Sequence, residues 1–401
     1  MDEQKMNRRQ VLGGVAVTAG TAGLLGAGPA EAADGAIAAP KFSEQGASQA
    51  PTITSVQGKI AYITGGSSGI GLGIAQALYE QGAKVILGNL DDKQFADALK
   101  KFPENDPRVA TVIHNVMERD KWEAKADEIE KKFGPVDILV NNAGVGLQGG
   151  LVAGTYNDWD WGMGVNFWGP VYGCKTFVPR MRARPNDGCH IVTTTSTSGI
   201  LVGLNVGIYA VSKIAATGLM EQLRNDLRAT NIGTSTLVPG LTATNIGQSE
   251  THRPEELRNA PAAAAAPRAG GPGGGPRAGG PGGPPRGAGG GAARGPAGGA
   301  GAAAPAADPG PFWARPQDPV TVGRVVVNGI LNNDLFIIPA PEYRQGVEAR
   351  AYALIESMVP FTPVPPNVQG GVDAYRYLFT PMYTQEVAHR VATRKRDIKG
   401  I

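Results

Sequence analysis

The sequence predicts a doubly wound α/β fold, a parallel sheet covered by helices on both faces, and three observations carry that prediction. Lys59 to Thr64 is a short apolar run of strand length, followed at once by Gly65-Gly66-Ser67-Ser68-Gly69-Ile70-Gly71 and an amphipathic stretch to about Gln81. A second strand-like run, Lys84 to Gly88, closes this strand–turn–helix–strand unit. Val136 to Val140 is an apolar run, broken only by Asp137, of the kind suited to a strand buried on both faces, and His190 to Thr195 reads as a further strand.

The turn after the first strand is the first element with chemical content. Gly65, Gly69 and Gly71 remove side chains where backbone must approach a pyrophosphate, and the helix they open offers its N-terminal N–H groups and dipole to that anion. With Ser67, Ser68 and Ile70 they form a candidate dinucleotide loop of a Rossmann-type fold, spaced Gly-x-x-x-Gly-x-Gly rather than Gly-x-Gly-x-x-Gly. A turn that merely joins strand to helix is the alternative, and the flanking strands weigh against it. The third run ends in Asn141-Asn142-Ala143-Gly144. Ligands of open parallel sheets lie outside the carboxyl ends of strands, so Asn142, Ala143 and Gly144 are placed to border the cofactor, and the asparagines can also stabilise the sheet core.

Tyr209 and Lys213 stand four positions apart, on one face if the segment is helical, and a lysine so placed can hold a tyrosine near ionisation. Chance supplies that spacing in many helices. Ser196, thirteen residues upstream, lies in the hydroxyl run Thr193 to Ser198, where local backbone bonding is an equally ordinary role.

Taken together, Thr64-Gly65-x-x-x-Gly69-Ile70-Gly71, Asn141-Asn142-Ala143-Gly144, Asn166, Ser196, Tyr209-x-x-x-Lys213 and Pro239-Gly240 resemble the short-chain dehydrogenase/reductase family. Order and intervals match throughout 58–250, and Asp334 to Pro339 looks like the last strand of that fold. The resemblance implies hydride transfer between a nicotinamide and an alcohol or ketone carbon, so the substrate is expected to be a small-molecule alcohol or ketone. Tyr209 would be general acid/base, Lys213 would favour the phenolate and hold the nicotinamide ribose, Ser196 would donate to the substrate oxygen, and Asn166 would link Lys213 to a water-borne proton path. Pro239, Gly240 and Leu241-Thr242-Ala243-Thr244 would hold the carboxamide, with Thr242 at a usually apolar position. A homo-oligomer through helices around 160–183 and 205–229 is implied by the family alone. Two other readings stay open on this fold: a non-catalytic nucleotide-binding or redox-sensing protein, and an epimerase or dehydratase.

The choice between NAD and NADP rests on the end of the second strand. NAD users place an acidic residue there for the ribose hydroxyl and NADP users supply a nearby Arg or Lys, whereas this chain has Asn89, then Leu90 and Asp91-Asp92. Ser68 stands where an arginine would meet a phosphate, and two carboxylates disfavour a dianion, so the expectation leans to NAD. After the third strand, Asn115 and Val116 take the adenine-contact positions.

At 401 residues with 42% hydrophobic content the chain can bury one open-sheet domain with length to spare. The expected division is a signal peptide over 1–32, a linker over 33–57, the dehydrogenase core over 58–260, a low-complexity insertion over 261–311, the rest of the core over 312–359, and an extension over 360–401. The insertion is mostly Ala, Gly and Pro without aromatics, and cannot bury enough apolar area to order itself. Its four spaced arginines and one carboxylate account for the chain's formal net charge of +3, and without clustering or stacking residues they argue against nucleic acid. It falls where this family places its substrate lid, and reads as either a screen over the site or a solvated expansion.

Asn7-Arg8-Arg9, a Gly/Ala-rich apolar stretch and Ala30-Glu31-Ala32 follow the order of a twin-arginine signal, which predicts periplasmic export and no retained membrane span; an ordinary basic tail on a cytoplasmic enzyme is the alternative. Cys174 and Cys189 make no disulfide framework, and no His/Cys/carboxylate cluster has metal spacing. In the tail, Tyr375, Tyr377, Phe379 and Tyr383 read most simply as packing residues, with a pocket or subunit contact as alternatives.

Overall fold

The computed structural model describes residues 49–260, 316–358, 367–370 and 381–393. The expected signal peptide, residues 33–48 of the linker, the insertion 261–311, Tyr375, Tyr377, Phe379 and the basic run 394–396 lie outside the described residues. Seven parallel strands form one sheet: β1 (Ile60–Thr64), β2 (Lys84–Asn89), β3 (Val109–Ile113), β4 (Ile138–Asn141), β5 (Cys189–Thr194), β6 (Ile232–Leu237) and β7 (Phe336–Ile337). Their order is β3-β2-β1-β4-β5-β6-β7, so the winding reverses between β1 and β4, where open α/β sheets place their ligand crevice. The strand expected over Asp334 to Pro339 pairs only at its centre, Thr236 with Phe336 and Leu237 with Ile337.

The connections are helical: α1 (Gly69–Glu80), α2 (Ala96–Leu99), α3 (Trp122–Phe133), α4 (Tyr156–Met163), α5 (Gly169–Arg182), α6 (Gly207–Leu227), α7 (Pro319–Asn332), α8 (Arg344–Glu356) and α9 (Pro381–Thr393). Strand residues alternate between faces, as a period of two demands. Ala61 and Ile63 pack with Ile74 and Leu78 of α1 and Val322, Val326 and Ile330 of α7 on one side. Tyr62, Leu139 and Ile191 pack with Trp122 and Ile129 of α3 and Phe177 of α5 on the other. The helical stretch expected near 160–183 is interrupted by a π turn over Gly164–Trp168. Cys174 in α5 and Cys189 in β5 are both free and buried.

Opposite the carboxyl ends of the strands, α9 docks through polar contacts. Glu386 accepts from the Leu335 amide (3.0 Å), His389 meets the Asp334 carboxylate (3.0 Å), Arg390 pairs with Asp334, and Tyr383 donates to Glu221. Beneath them the buried Arg224 donates to the carbonyls of Thr234 and Asn333. Tyr383 is exposed, tied to α6 through Glu221, and does not line the cleft.

Two histidines are buried neutral. Burial pulls His114 down to about 4, where its Nδ1 lies 2.6 Å from the Tyr62 hydroxyl, and burial holds His190 well below its usual value. An unfolded histidine charges near 6.5, so between about 6.5 and 4 the unfolded chain binds more protons and stability falls as pH drops. His114 alone should contribute a loss of about 3 kcal/mol across that window. Urea unfolding at pH 7 and pH 5 is expected to show the decline and His114→Gln to flatten it; an unchanged slope in the variant would assign the acid sensitivity elsewhere.

Candidate active site

A cleft of about 340 Å³ opens at the carboxyl ends of β1, β4, β5 and β6, within the roughly 300–1,000 Å³ usual for small-molecule sites. Gly65, Ser68, Gly69 and Ile70 form its floor. Gly65 and Gly69 have φ of 63° and 50°, a region L side chains rarely adopt, and the Asn142 amide donates to the carbonyls of Thr64 and Gly65 (both 3.2 Å), pinning the turn. Asn141 instead points into the sheet, its amide 3.4 Å from the Thr193 hydroxyl.

Two loop residues serve from behind the cleft. A Cβ on Gly71 would stand 2.3 Å from the Gly65 carbonyl oxygen and 2.4 Å from the Asn142 amide nitrogen, so this glycine permits close packing of α1 against the turn rather than approach of a ligand. Ser67 is buried and its hydroxyl accepts from the Asn89 amide. At the N-terminus of α1 the Ser68 side chain makes no capping bond and the first turn holds no acidic residue. Uncapped N–H groups at a positive helix end, beside a turn in which Gly65 and Gly69 carry no Cβ, fit a pyrophosphate.

At the adenosine end Asn89, Asn115 and Val116 line the cleft with Leu90, Gln94 and His114. Both ends of the Asn89 side chain are engaged, its nitrogen by Ser67 and its oxygen by the Leu90 amide (2.9 Å). Asn115 accepts from the Met117 amide (3.1 Å). Asp91 caps the following turn by accepting from Lys93 and Gln94, and neither Asp91 nor Asp92 lines the cleft. Among the described lining residues Lys213 is the one Lys or Arg, and no carboxylate is present.

Ser196, Tyr209 and Lys213 meet at the other end, brought together by the turn after β5 and the start of α6. Lys213 is 3% exposed, donates to the Thr194 carbonyl (3.0 Å), and has its nitrogen 5.7 Å from the Tyr209 ring centre. Burial lowers Lys213 to about 8 and pushes the Tyr209 phenol up, opposed by a hydrogen bond with Ser196. The spacing alone suggested a lysine drawing the phenol down. In this arrangement desolvation outweighs the Ser196 hydrogen bond, and the Lys213 ammonium faces the Thr194 carbonyl. The Ser196 hydroxyl also accepts from the Ser198 amide (3.1 Å), the local backbone bond that its place in a hydroxyl run allows.

Asn166 sits on the π turn and is 1% exposed, outside the cleft lining. It accepts from the Val145 amide (2.8 Å) and donates to the Val145 carbonyl and the Ser212 hydroxyl (both 3.0 Å). A Cβ on Gly144 would lie 3.3 Å from both Asn166 and Lys213, so the asparagine reaches the lysine's neighbourhood with its own hydrogen bonds directed elsewhere. Ala143, Gly144, Pro239, Gly240, Thr242 and Thr244 line the cleft as expected positions. The Thr242 hydroxyl donates to the Gly240 carbonyl (3.2 Å), which makes it an internal brace.

One device had no signature in the sequence. The segment Ile246–His252 and the residues after it fold over the cleft, and Arg253, 5% exposed, fixes them to α4. Its guanidinium donates to Asp158 (2.7 Å) and Glu250 (2.6 Å) and stacks 4.1 Å over the ring of Trp161, a lining residue. Asp158 is itself held by the Thr155 capping box, the one part of the latch a Thr-x-x-Asp spacing could have signalled. Arg253→Met is expected to loosen this segment and raise the dissociation constant for the dinucleotide roughly tenfold with kcat changed far less. Equilibrium binding by protein fluorescence checks this; unchanged affinity would show that the segment's position does not depend on Arg253.

Comparison with known proteins agrees with the geometry. The short chain dehydrogenase family pattern matches residues 59–255. A C alpha-dehydrogenase of Sphingobium sp. is 29% identical over 79% of this chain and 92% of its own length, and a 3beta-hydroxysteroid dehydrogenase 2 of Eggerthella lenta is 34% identical over 54% of this chain and 84% of its own. Among solved structures, a short chain dehydrogenase/reductase from Burkholderia phymatum in complex with NAD is 27% identical, covering 78% of this chain and all of that one with a TM-score of 0.60.

Proposed function

The chain belongs to the short chain dehydrogenase family and is an NAD(P)-dependent oxidoreductase, and on that footing we propose that it works with NAD, using Tyr209 as the proton-transfer group. The observation that carries the cofactor choice is the adenosine end of the cleft, which offers neutral amides and no Arg or Lys among the described residues. A 2′-phosphate placed there would meet no Arg or Lys, whereas a 2′-hydroxyl needs only an acceptor or donor.

A bound nicotinamide supplies the hydride donor or acceptor. In reduction Tyr209 gives its phenolic proton to the carbonyl oxygen, and burial that keeps the phenol protonated suits it to that role. Ser196 donates to the same oxygen and stabilises the charge that develops on it. Lys213 is anchored beside the pair by Thr194, and Asn166 positions the Gly144–Val145 backbone. Initial rates with NADH and NADPH on one ketone, followed by loss of reduced-nicotinamide absorbance, test the preference. A kcat/KM at least about tenfold higher for NADH is expected, since one lost charge pairing at a phosphate is worth about that; a preference for NADPH would overturn it.

Two finer readings accompany this one. Arg8-Arg9 and the apolar stretch after them support twin-arginine export, tested by cell fractionation of wild type and a double Arg→Lys variant. Exposed Trp168 beside α5 and Val211 and Ile214 on α6 support a homo-oligomer through those helices, tested by light scattering.

A further inference from the structure

The walls around Tyr209 and Ser196 carry information about the substrate that the motifs do not. On the side formed by the residues after β4, by α4, by the π turn and by the segment after β6, the cleft is lined by Val145, Trp161, Val165, Leu241 and Ile246. Ser249 on this side is already satisfied, its hydroxyl accepting from the Gly146 amide (2.9 Å) and donating to the Ile246 carbonyl (2.6 Å), while His252 lies toward Gln94 at the adenosine end (3.5 Å). Over the whole described lining no carboxylate or guanidinium appears, and the one ammonium, that of Lys213, donates to a carbonyl at the reacting end. Against the Val145–Ile246 wall a substrate carboxylate or phosphate would therefore be desolvated without a charged partner.

The rim continues the same chemistry. Gly149 bridges to Val206, its amide donating to the Asn205 carbonyl (2.8 Å), so the loops after β4 and β5 are tied together three residues before Tyr209. From these loops Val152 (98% exposed), Val202 (78%) and Leu204 (94%) stand in solvent, and Tyr156 (88%) at the start of α4 does the same. Large apolar side chains gathered on two loops beside an apolar cleft offer cover for an apolar ligand longer than the cleft is deep.

We infer that the substrate is an uncharged, predominantly hydrocarbon alcohol or its ketone, with a body extended enough to reach from Tyr209 to the Val152–Leu204 rim. This rests on the oxidoreductase reading of Tyr209 given above. In the oxidative direction Tyr209 must first release its own proton to solvent; the alcohol carbon then gives its hydrogen as hydride to the oxidised nicotinamide and the hydroxyl proton passes to the Tyr209 phenolate, so C–H and O–H bonds break, C=O forms and the phenol is restored.

The test is a homologous series of methyl ketones assayed with NADH and the intact purified protein, each beside an analogue of equal length ending in a carboxylate. Along the uncharged series kcat/KM should rise about fourfold per methylene until the rim is reached, and each carboxylated analogue should fall at least about a hundredfold below its partner. The double variant Val152→Asp/Leu204→Asp should lower kcat/KM for the long ketones by roughly tenfold and leave the shortest within about twofold. Carboxylated ketones turned over as well as or better than neutral ones, or a flat chain-length profile, would overturn the substrate class while leaving Tyr209 in its role. Failure to turn over any ketone or alcohol with dinucleotide demonstrably bound would instead overturn the proton-transfer reading, and this inference with it.

Discussion

Tyr209→Phe is expected to lower kcat by at least about a thousandfold while the dissociation constant for NAD stays within about threefold. The phenyl ring keeps the volume and the packing of α6, so the cleft retains its shape; only the hydroxyl that meets Ser196 is removed. What disappears is the proton that the substrate oxygen must receive as hydride arrives. Ser196→Ala should cost less, since it removes one donor and leaves the proton source in place. If Ser196→Ala proved the more damaging, the hydroxyl nearest the reacting oxygen would be the serine's, and the two roles would exchange.

Gly71→Ala carries the second large effect, and it acts on binding. The added methyl would press on the Gly65 carbonyl and the Asn142 amide, and both neighbours are fixed, one as backbone and the other by its bonds to Thr64 and Gly65. Either α1 or the turn must move, at an overpacking cost of about 1–3 kcal/mol, and the moved atoms form the pyrophosphate floor. The dissociation constant for NAD is expected to rise roughly tenfold to a hundredfold, measured by calorimetry. An unaltered constant would mean that the floor of the cleft does not set dinucleotide affinity.

The parts of this molecule that sequence makes legible are those governed by local rules. Strand periodicity and a glycine-rich turn located β1, α1 and β2 to within a residue or two, and Tyr209 and Lys213 fall on the first turns of α6 as a spacing of four requires. The last strand was drawn too long because apolarity at 334–339 reports burial, and pairing depends on how far β6 runs alongside. Gly71 was assigned to ligand approach when its neighbour is the protein's own backbone, a distinction that exists only once the turn is folded. The π turn beneath Asn166 has no pattern in a single sequence, and the Arg253 latch joins residues nearly a hundred positions apart. The direction of the Tyr209 shift was missed for a related reason. A lysine four residues away is visible in the chain, whereas the desolvation that raises the phenol belongs to the tertiary structure.

The most direct test of the central claim follows a single hydrogen. NAD-loaded protein mixed with an apolar alcohol deuterated at its carbinol carbon should yield, in one turnover, NADH carrying that deuterium and the corresponding ketone, and Tyr209→Phe, equally loaded, should yield neither on the same timescale. Deuterium appearing in NADH from the variant as fast as from wild type would contradict the account.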